Sequence, residues 1–479
     1  MSVPHVRQNA AFPVLLCAVR RFRIVIEKKL PCTQQFARIA VNDIIKDQEK
    51  PMPSNVIKNT SKLLTANIAA QIIGLVAYPV LTRLYLPDDF GILNLFMTIG
   101  GIATIFATAE YQNAILLPGH DREAAACFHV GFRITLAVCL LFALTIPFSE
   151  GISGLLHASG LARHYALLPL YIFALSLWNM LNYWYTRRQR FSAVSLYQVT
   201  QCTSGAGLKC AFFRIPGGLV FGTVLAPFVG LAVSLLARFR ADIRPLFRPD
   251  RVESRRMMRE YANFPKYSLP RTIVNYVSGN LPFLLLAPFF TMREIGFYGM
   301  ALTLSFTPVN LIVRSVHQVF FQTTVERVRQ GIPIRGFFRR FFMRGVFTLP
   351  LFALLYAVLP PLTAWLLGGK WVSTGIYIRF MLPWVFMTVL VGPVSFLPDI
   401  FKKQKIAFLF ELLTFVLRAV ALAIGIVSGD FIVAVAGYSL ASFAAILLQL
   451  LWYRRLIAVY ERGRHEGRPS TTDAGMPEK

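Results

Sequence analysis

The chain has 479 residues, of which 55% are hydrophobic and only 15% are charged, and its mean hydropathy is +0.54. A water-soluble protein of this length exposes far more charge, so the composition excludes a soluble domain and indicates an all-α integral membrane protein. The formal net charge of +27 would suit nucleic-acid binding, but most basic residues lie in short segments between apolar runs, which excludes that class.

The first sixty residues are predicted to form a cytoplasmic N-terminal extension, 1–60. Their main apolar stretch, Ala11–Val19, is too short to cross a bilayer and lacks a small-residue cleavage site. Met52 is an alternative start, and no function is assigned to residues 1–51.

Twelve apolar segments follow, each close to the roughly 20 residues that a membrane helix needs. Their predicted spans are 62–85, 90–116, 126–148, 163–186, 193–213, 217–237, 267–290, 296–321, 341–364, 373–398, 405–427 and 430–453.

Lys and Arg residues predict the orientation of these spans. The termini and the connections after even-numbered spans carry 39 of the 50 basic residues, whereas the opposite connections carry at most six. Basic residues concentrate on the cytoplasmic side, so both termini are predicted to be cytoplasmic. The predicted organisation is an N-lobe of six spans (61–237), a basic cytoplasmic linker (238–266), a C-lobe of six spans (267–453) and a polar cytoplasmic tail (454–479).

A short pattern recurs near the start of each predicted lobe. Asp89-Phe90-Gly91 closes the first outer loop, and Glu294-Ile295-Gly296 stands 205 residues later at the outer end of span seven. Both spans one and seven start in the cytoplasm, so the repeat predicts two parallel, pseudo-symmetric six-helix lobes around a central cavity.

Five stretches of the sequence resemble the polysaccharide flippases, the Wzx-like translocases of the multidrug/oligosaccharidyl-lipid/polysaccharide exporter superfamily. They are TRLYLPDDFGILNLF, EYQNAILLP, NYWYTRRQRF, YANFPKYSLPRTIVNYVSGNLPFLLLAPFFTMREIGFYGMALTL and LLGGKWVSTGIYIRFMLPW. The resemblance covers about residues 55–455. The N-terminal extension departs from the family pattern.

The resemblance implies a transporter that moves an undecaprenyl-diphosphate-linked oligosaccharide across the bacterial inner membrane by alternating access. The glycan would be a repeat unit of O-antigen, capsule or exopolysaccharide. The lipid-linked oligosaccharide and membrane lipids are the implied partners, and other polysaccharide assembly proteins are left open as further ones. No cofactor is implied, and nucleic acid is not a partner.

An anionic diphosphate calls for cations along its path, and buried charges in membrane helices face cavities or partners. Arg314 lies deep in span eight, one turn after Asn310, and is predicted to line the cavity. In span seven Arg271, Asn275 and Ser278 recur at helical spacing and form a candidate cavity wall, although Arg271 could instead reach the interface.

Two acids and one further arginine have open roles. Arg418 is near the middle of span eleven, seven residues after Glu411 on the same face, so each needs a partner on another helix. Arg418 is kept as a candidate for the substrate path and as a structural residue. Glu110 and Glu411 are candidates for ion pairing or coupling, with structural pairing favoured for Glu110.

Two other functions are weighed against the flippase. A drug/cation antiporter of the same superfamily would show membrane-embedded acids, whereas the deep charges here are mainly arginines. A membrane glycan polymerase or glycosyltransferase would show large outer loops or a carboxylate pair for a metal, and neither pattern is present in the sequence. The six cysteines have no CxxC spacing, so no metal site is predicted. The sequence has no Ser/His/Asp or P-loop pattern, so no catalytic residue is predicted either.

Overall fold

A computed structural model describes residues 54–236, 243, 246 and 251–465, and within those ranges the chain contains helices and no strand. The helices in chain order are α1 (Ser54–Leu84), α2 (Pro87–Thr108), α3 (Tyr111–Ala114), α4 (Asp121–Leu144), α5 (Ser149–Leu155), α6 (Ser159–Tyr165), α7 (Leu168–Arg187), α8 (Phe191–Ala211), α9 (Gly218–Leu236), α10 (Arg251–Glu260), α11 (Leu269–Leu285), α12 (Met292–Arg329), α13 (Arg335–Val346), α14 (Leu349–Leu367), α15 (Val372–Val391), α16 (Leu397–Ile400), α17 (Gln404–Ser428) and α18 (Phe431–His465).

Three predicted segments fall partly outside the described residues. These are residues 1–53 of the N-terminal extension, most of the linker between 237 and 250, and the tail from 466 onward. The described residues from Asn59 onward belong to one compact unit. Residues 59–236 are called the N-terminal half, and residues 251–465 are called the C-terminal half.

A long helix overlaps each of the twelve predicted spans. By length and composition, eight helical segments of the described chain are apolar enough to cross a membrane, which confirms an all-α membrane protein. They are Pro87–Thr108, Asp121–Leu144, Gly218–Leu236, Met292–Arg329, Arg335–Leu367, Gly369–Ile400, Gln404–Ser428 and Phe431–Arg462. The number twelve stays a prediction, since helices such as α8 carry many polar residues.

The repeated acids initiate helices. The Asp89 carboxylate accepts a hydrogen bond from the Leu86 backbone N–H at 2.9 Å, and Glu294 accepts one from the Thr291 backbone N–H at 3.0 Å. A carboxylate in the first turn satisfies free N–H groups and favours the positive end of the helix dipole. Asp89 and Glu294 therefore lie within the first turns of α2 and α12, and the interpretation of Asp89 as a loop residue is wrong.

The largest buried cluster contains side chains from both halves, among them Phe96, Tyr298 and Trp371. A second cluster lies within the N-terminal half and its adjoining α10, where Trp178 and Tyr197 stack face to face. Helix α2 packs against α4 and α7 of its own half and against α11 and α12 of the other. The halves are therefore joined mainly through α2, while the division into two symmetric lobes stays a prediction.

Candidate functional site

The predicted outer ends of the two halves meet where α2 crosses α12. A Cβ atom added to Gly91 would collide with the backbone carbonyl of Met292, and one added to Gly296 would collide with the carbonyl of Pro87. Gly296 lies 205 residues after Gly91, and Met292 lies 205 residues after Pro87. The two contacts are therefore equivalent positions of the repeat found in the sequence. The crossing requires glycine at both positions.

A second contact between the halves covers the end of α1. The last carbonyls of a helix have no partner within it. Trp371 donates its indole N–H to the Thr82 carbonyl at 3.0 Å, and Lys370 donates from Nζ to the Tyr85 carbonyl at 2.7 Å. The Trp371 ring is fully buried and meets the edge of Phe90, with 5.1 Å between ring centroids. The outer ends of the halves are therefore held together by packing and hydrogen bonds.

The inner part of α12 presents a row of polar side chains. Asn310, Arg314, Gln318 and Gln322 are all exposed and follow one another every four residues, which places them on one helix face. Among the described residues Arg314 has no hydrogen-bond or ion-pair partner, so its positive charge is available to a ligand. We call these four residues the α12 polar row.

Two polar residues of α11 are exposed in the same half. Arg271 and Asn275 lie one turn apart on its exposed face, which Gly279 continues. The prediction that Ser278 extends this row is wrong, because Ser278 is buried. Its carbonyl accepts a hydrogen bond from the Tyr438 hydroxyl at 2.9 Å, which directs this side of α11 into the helix bundle.

A cavity of about 640 Å³ lies at the predicted inner side of the C-terminal half. Its lining includes Arg271, His317, Gln318, Phe321, Gln322, Ser395, Phe396, Asp399, Gln404, Glu411, Gln449 and Tyr453. Gln318 and Gln322 belong both to the cavity wall and to the α12 polar row. The row therefore runs from the cavity toward the middle of α12, where Arg314 and Asn310 lie.

Arg271 and Glu411 form an ion pair across the cavity wall, with 3.6 Å between Nη2 and Oε1. The partner that the sequence left unassigned for Glu411 is thus on α11. The pair links α11 to α17, and it balances the positive charge of Arg271.

Arg418 has a different environment from Arg314. It donates to the Ser442 hydroxyl at 2.9 Å and to the Ser278 hydroxyl at 3.2 Å. Its guanidinium also lies over the rings of Trp384 and Tyr438, at 5.3 and 5.0 Å from their centroids. These contacts with α11, α15 and α18 engage Nε and Nη1 of Arg418 inside the C-terminal half, and they favour its structural role.

Glu110 lies just beyond the end of α2, in a turn where both Ala109 and Glu110 have positive φ angles of 45° and 63°. Its side chain is buried, accepts a hydrogen bond from the Asn113 amide and contacts Thr272 of α11. The described contacts of Glu110 are with these polar groups, whereas the sequence favoured an ion pair.

Several residues of the cavity and of the contact between the halves were not predicted from the sequence. Gln322 could have been found by continuing the four-residue spacing from Arg314. Gln404 and Gln449 lie on other helices, and nothing in their local sequence points to the cavity. The contact between Trp371 and Thr82 joins residues 289 positions apart, which no local pattern reveals.

Comparison with known proteins assigns the chain to a family. The family described as "Polysaccharide biosynthesis protein" matches residues 80–375, which is more than half of the chain. The fold and the matched residues define a multi-pass membrane protein of polysaccharide biosynthesis, and the chain belongs to this family. The resemblance predicted from the quoted stretches is thereby confirmed.

One curated relative is the succinoglycan biosynthesis transport protein ExoT of Rhizobium meliloti (strain 1021). It is 22% identical over 253 residues, which are 52% of this chain and 49% of that protein. The chain spans about half the length of this curated relative.

Two solved structures share the fold. The lipid II flippase MurJ, in an inward closed conformation, superposes with a TM-score of 0.63 at 12% identity and covers 85% of this chain and 91% of its own. An inward-facing multidrug resistance MATE family transporter of the MOP superfamily gives a TM-score of 0.55, also at 12% identity, and covers 83% of this chain and 99% of its own. At these identities the likeness establishes the fold alone.

Proposed function

We propose that the protein is a flippase that moves undecaprenyl-diphosphate-linked oligosaccharide from the cytoplasmic to the periplasmic leaflet of the bacterial inner membrane. The observation that carries this proposal is the α12 polar row. It leads from the inner cavity to Arg314, which has no partner among the described residues. The family supports a role in polysaccharide biosynthesis, and ExoT and MurJ are named as a transport protein and a flippase.

The substrate requires such a row for physical reasons. Each sugar hydroxyl that enters hydrocarbon without a hydrogen-bond partner is penalised by several kcal/mol, roughly 2–7 for a hydroxyl. Exposed amides such as Asn310 and Gln318 can replace water along the path, and Arg314 can balance the diphosphate charge. No covalent bond needs to form or break.

We further propose that twelve spans in two lobes, 61–237 and 267–453, carry out alternating access with both termini in the cytoplasm. The contacts at Gly91, Gly296 and Trp371 close the outer side while the cavity receives substrate from the inner side. Opening of the outer side requires these contacts to separate.

The runner-up function is a drug/cation antiporter of the same superfamily, which the fold shared with the MATE transporter supports. An organic cation would be repelled by Arg314, so the charge of the α12 polar row favours an anionic substrate. A membrane glycan polymerase or glycosyltransferase is a weaker third candidate, because Glu411, one of the two carboxylates in the described cavity lining, is paired with Arg271.

Deletion of the gene, followed by analysis of the lipid-linked glycans, tests the proposal. We expect loss of surface polysaccharide and accumulation of complete repeat units on the cytoplasmic leaflet. Incomplete units would support the glycosyltransferase, and complete units on the outer leaflet would support the polymerase. Unchanged polysaccharide with increased sensitivity to cationic drugs would support the antiporter.

A further inference from the structure

The inner cavity has the side chains of a carbohydrate site. Four of its lining residues are glutamines: Gln318, Gln322, Gln404 and Gln449. Each amide offers both donors and an acceptor, which matches the alternating donor and acceptor roles of sugar hydroxyls. These glutamines come from α12, α17 and α18, so they surround the cavity.

The charges of the cavity disfavour a phosphate. Its arginine, Arg271, is already paired with Glu411 at 3.6 Å, and Asp399 adds a second carboxylate to the lining. At neutral pH the described lining therefore has no excess of positive charge. A diphosphate would meet two carboxylates there, whereas the hydroxyls of a neutral or amino sugar would not be repelled.

The cavity also contains an aromatic wall. The rings of His317 and Phe321 each meet Phe396 edge to face, with 5.4 Å between centroids in both pairs. Phe321 is 41% exposed. Sugars bury the apolar C–H side of the ring against aromatic side chains while their hydroxyls reach polar groups at the edge, so amides beside aromatic rings fit both parts of a sugar.

We propose that this cavity is a saccharide subsite that holds part of the glycan while the diphosphate lies near Arg314. The inference rests on the proposed function and adds that different residues of the C-terminal half bind the two parts of the substrate. The sugar selectivity of the flippase is then set by the cavity glutamines and not by the arginine.

The test measures binding by native mass spectrometry of the purified full chain. Two probes are used: the lipid-linked glycan extracted from the deletion strain, and undecaprenyl phosphate, which lacks sugars. Gln322→Leu and Gln404→Leu are compared with the matched control Gln330→Leu. Gln330 is exposed, directly follows α12 and does not line the cavity.

We expect each cavity variant to bind the glycolipid about tenfold more weakly, because an amide that makes one or two hydrogen bonds is lost. Binding of undecaprenyl phosphate and the behaviour of Gln330→Leu should not change. Equal losses for both probes, or no loss for either, would overturn the subsite. A wild-type chain that binds undecaprenyl phosphate but not the glycolipid would contradict the subsite and the proposed function together. If both cavity variants keep the wild-type preference for the glycolipid over undecaprenyl phosphate, the subsite is overturned and the proposed function is not.

Discussion

At its predicted outer end α12 packs so closely against α2 that Gly296 faces a backbone carbonyl. Toward its predicted inner end the same helix leaves four polar side chains exposed. The outer end is buried among aromatic rings and has no space for an added methyl group. The predicted inner end has a cavity of about 640 Å³ and Arg314, which has no partner in the described part of the chain. One helix thus contributes both the junction between the halves and the polar surface that we propose for the substrate.

Two arginines that look alike in the sequence have different environments in the structure. Arg314 and Arg418 both lie deep in apolar helices, yet Arg418 is surrounded by serines and aromatic rings and Arg314 is exposed. Substitutions in the junction and in the packed interior should therefore change stability or conformation, and substitutions in the polar row should change transport.

The largest effect is expected at the helix crossing. Gly91→Ala forces a methyl group into the Met292 carbonyl and should lower the free energy of unfolding by about 3 kcal/mol. Gly74→Ala is the matched control, because a Cβ there meets no atom of the described residues within 4 Å and alanine favours a helix by about 0.5–1 kcal/mol. Melting temperatures in detergent check both. Equal melting temperatures for the two variants would show that the crossing tolerates a side chain.

The next largest effect separates the two arginines. Arg418→Met removes the hydrogen bonds to Ser278 and Ser442 and two cation–π contacts, and should lower stability by about 2 kcal/mol. Arg314→Met should leave stability unchanged, since Arg314 has no partner among the described residues. The melting temperatures of the two variants give the comparison, and a larger loss for Arg314→Met would reverse the assigned roles.

A smaller effect is expected at the second outer contact. Trp371→Phe keeps an aromatic ring but loses the hydrogen bond to Thr82, so the equilibrium should shift about tenfold toward an outer-open state. Spin labels at Leu155 and Phe289, which are 78% and 64% exposed, would report this in a chain whose own cysteines are replaced by alanine.

Trp365→Phe controls for the loss of an indole, because Trp365 is 76% exposed near the end of α14. Longer distances between the labels should appear in Trp371→Phe and not in Trp365→Phe. Identical distance distributions in both variants would mean that the Trp371 hydrogen bond does not hold the outer side closed.

The helices could be predicted from the sequence because an apolar run in a membrane has to satisfy its own backbone. The repeat was also visible, but only as a pattern: the contact of Gly91 with Met292 depends on how two distant helices cross. Which face of a helix is covered depends on its neighbours, so the sequence left the role of Arg418 open and could not show that Arg418 is packed while Arg314 is exposed. For the same reason, the sequence could not predict which glutamines line the cavity or that Trp371 contacts Thr82.

The most direct test of the flippase uses vesicles that contain the purified chain and the lipid-linked glycan from the deletion strain. A membrane-impermeant oxidant of sugar diols reports how much glycan lies in the outer leaflet. With the wild-type chain we expect all of the glycan to become accessible over time, and with Arg314→Ala about tenfold more slowly. Arg329→Ala, an exposed arginine at the end of α12, should match the wild type. If folded wild-type protein leaves only the initial outer-leaflet share accessible, the protein does not flip this lipid.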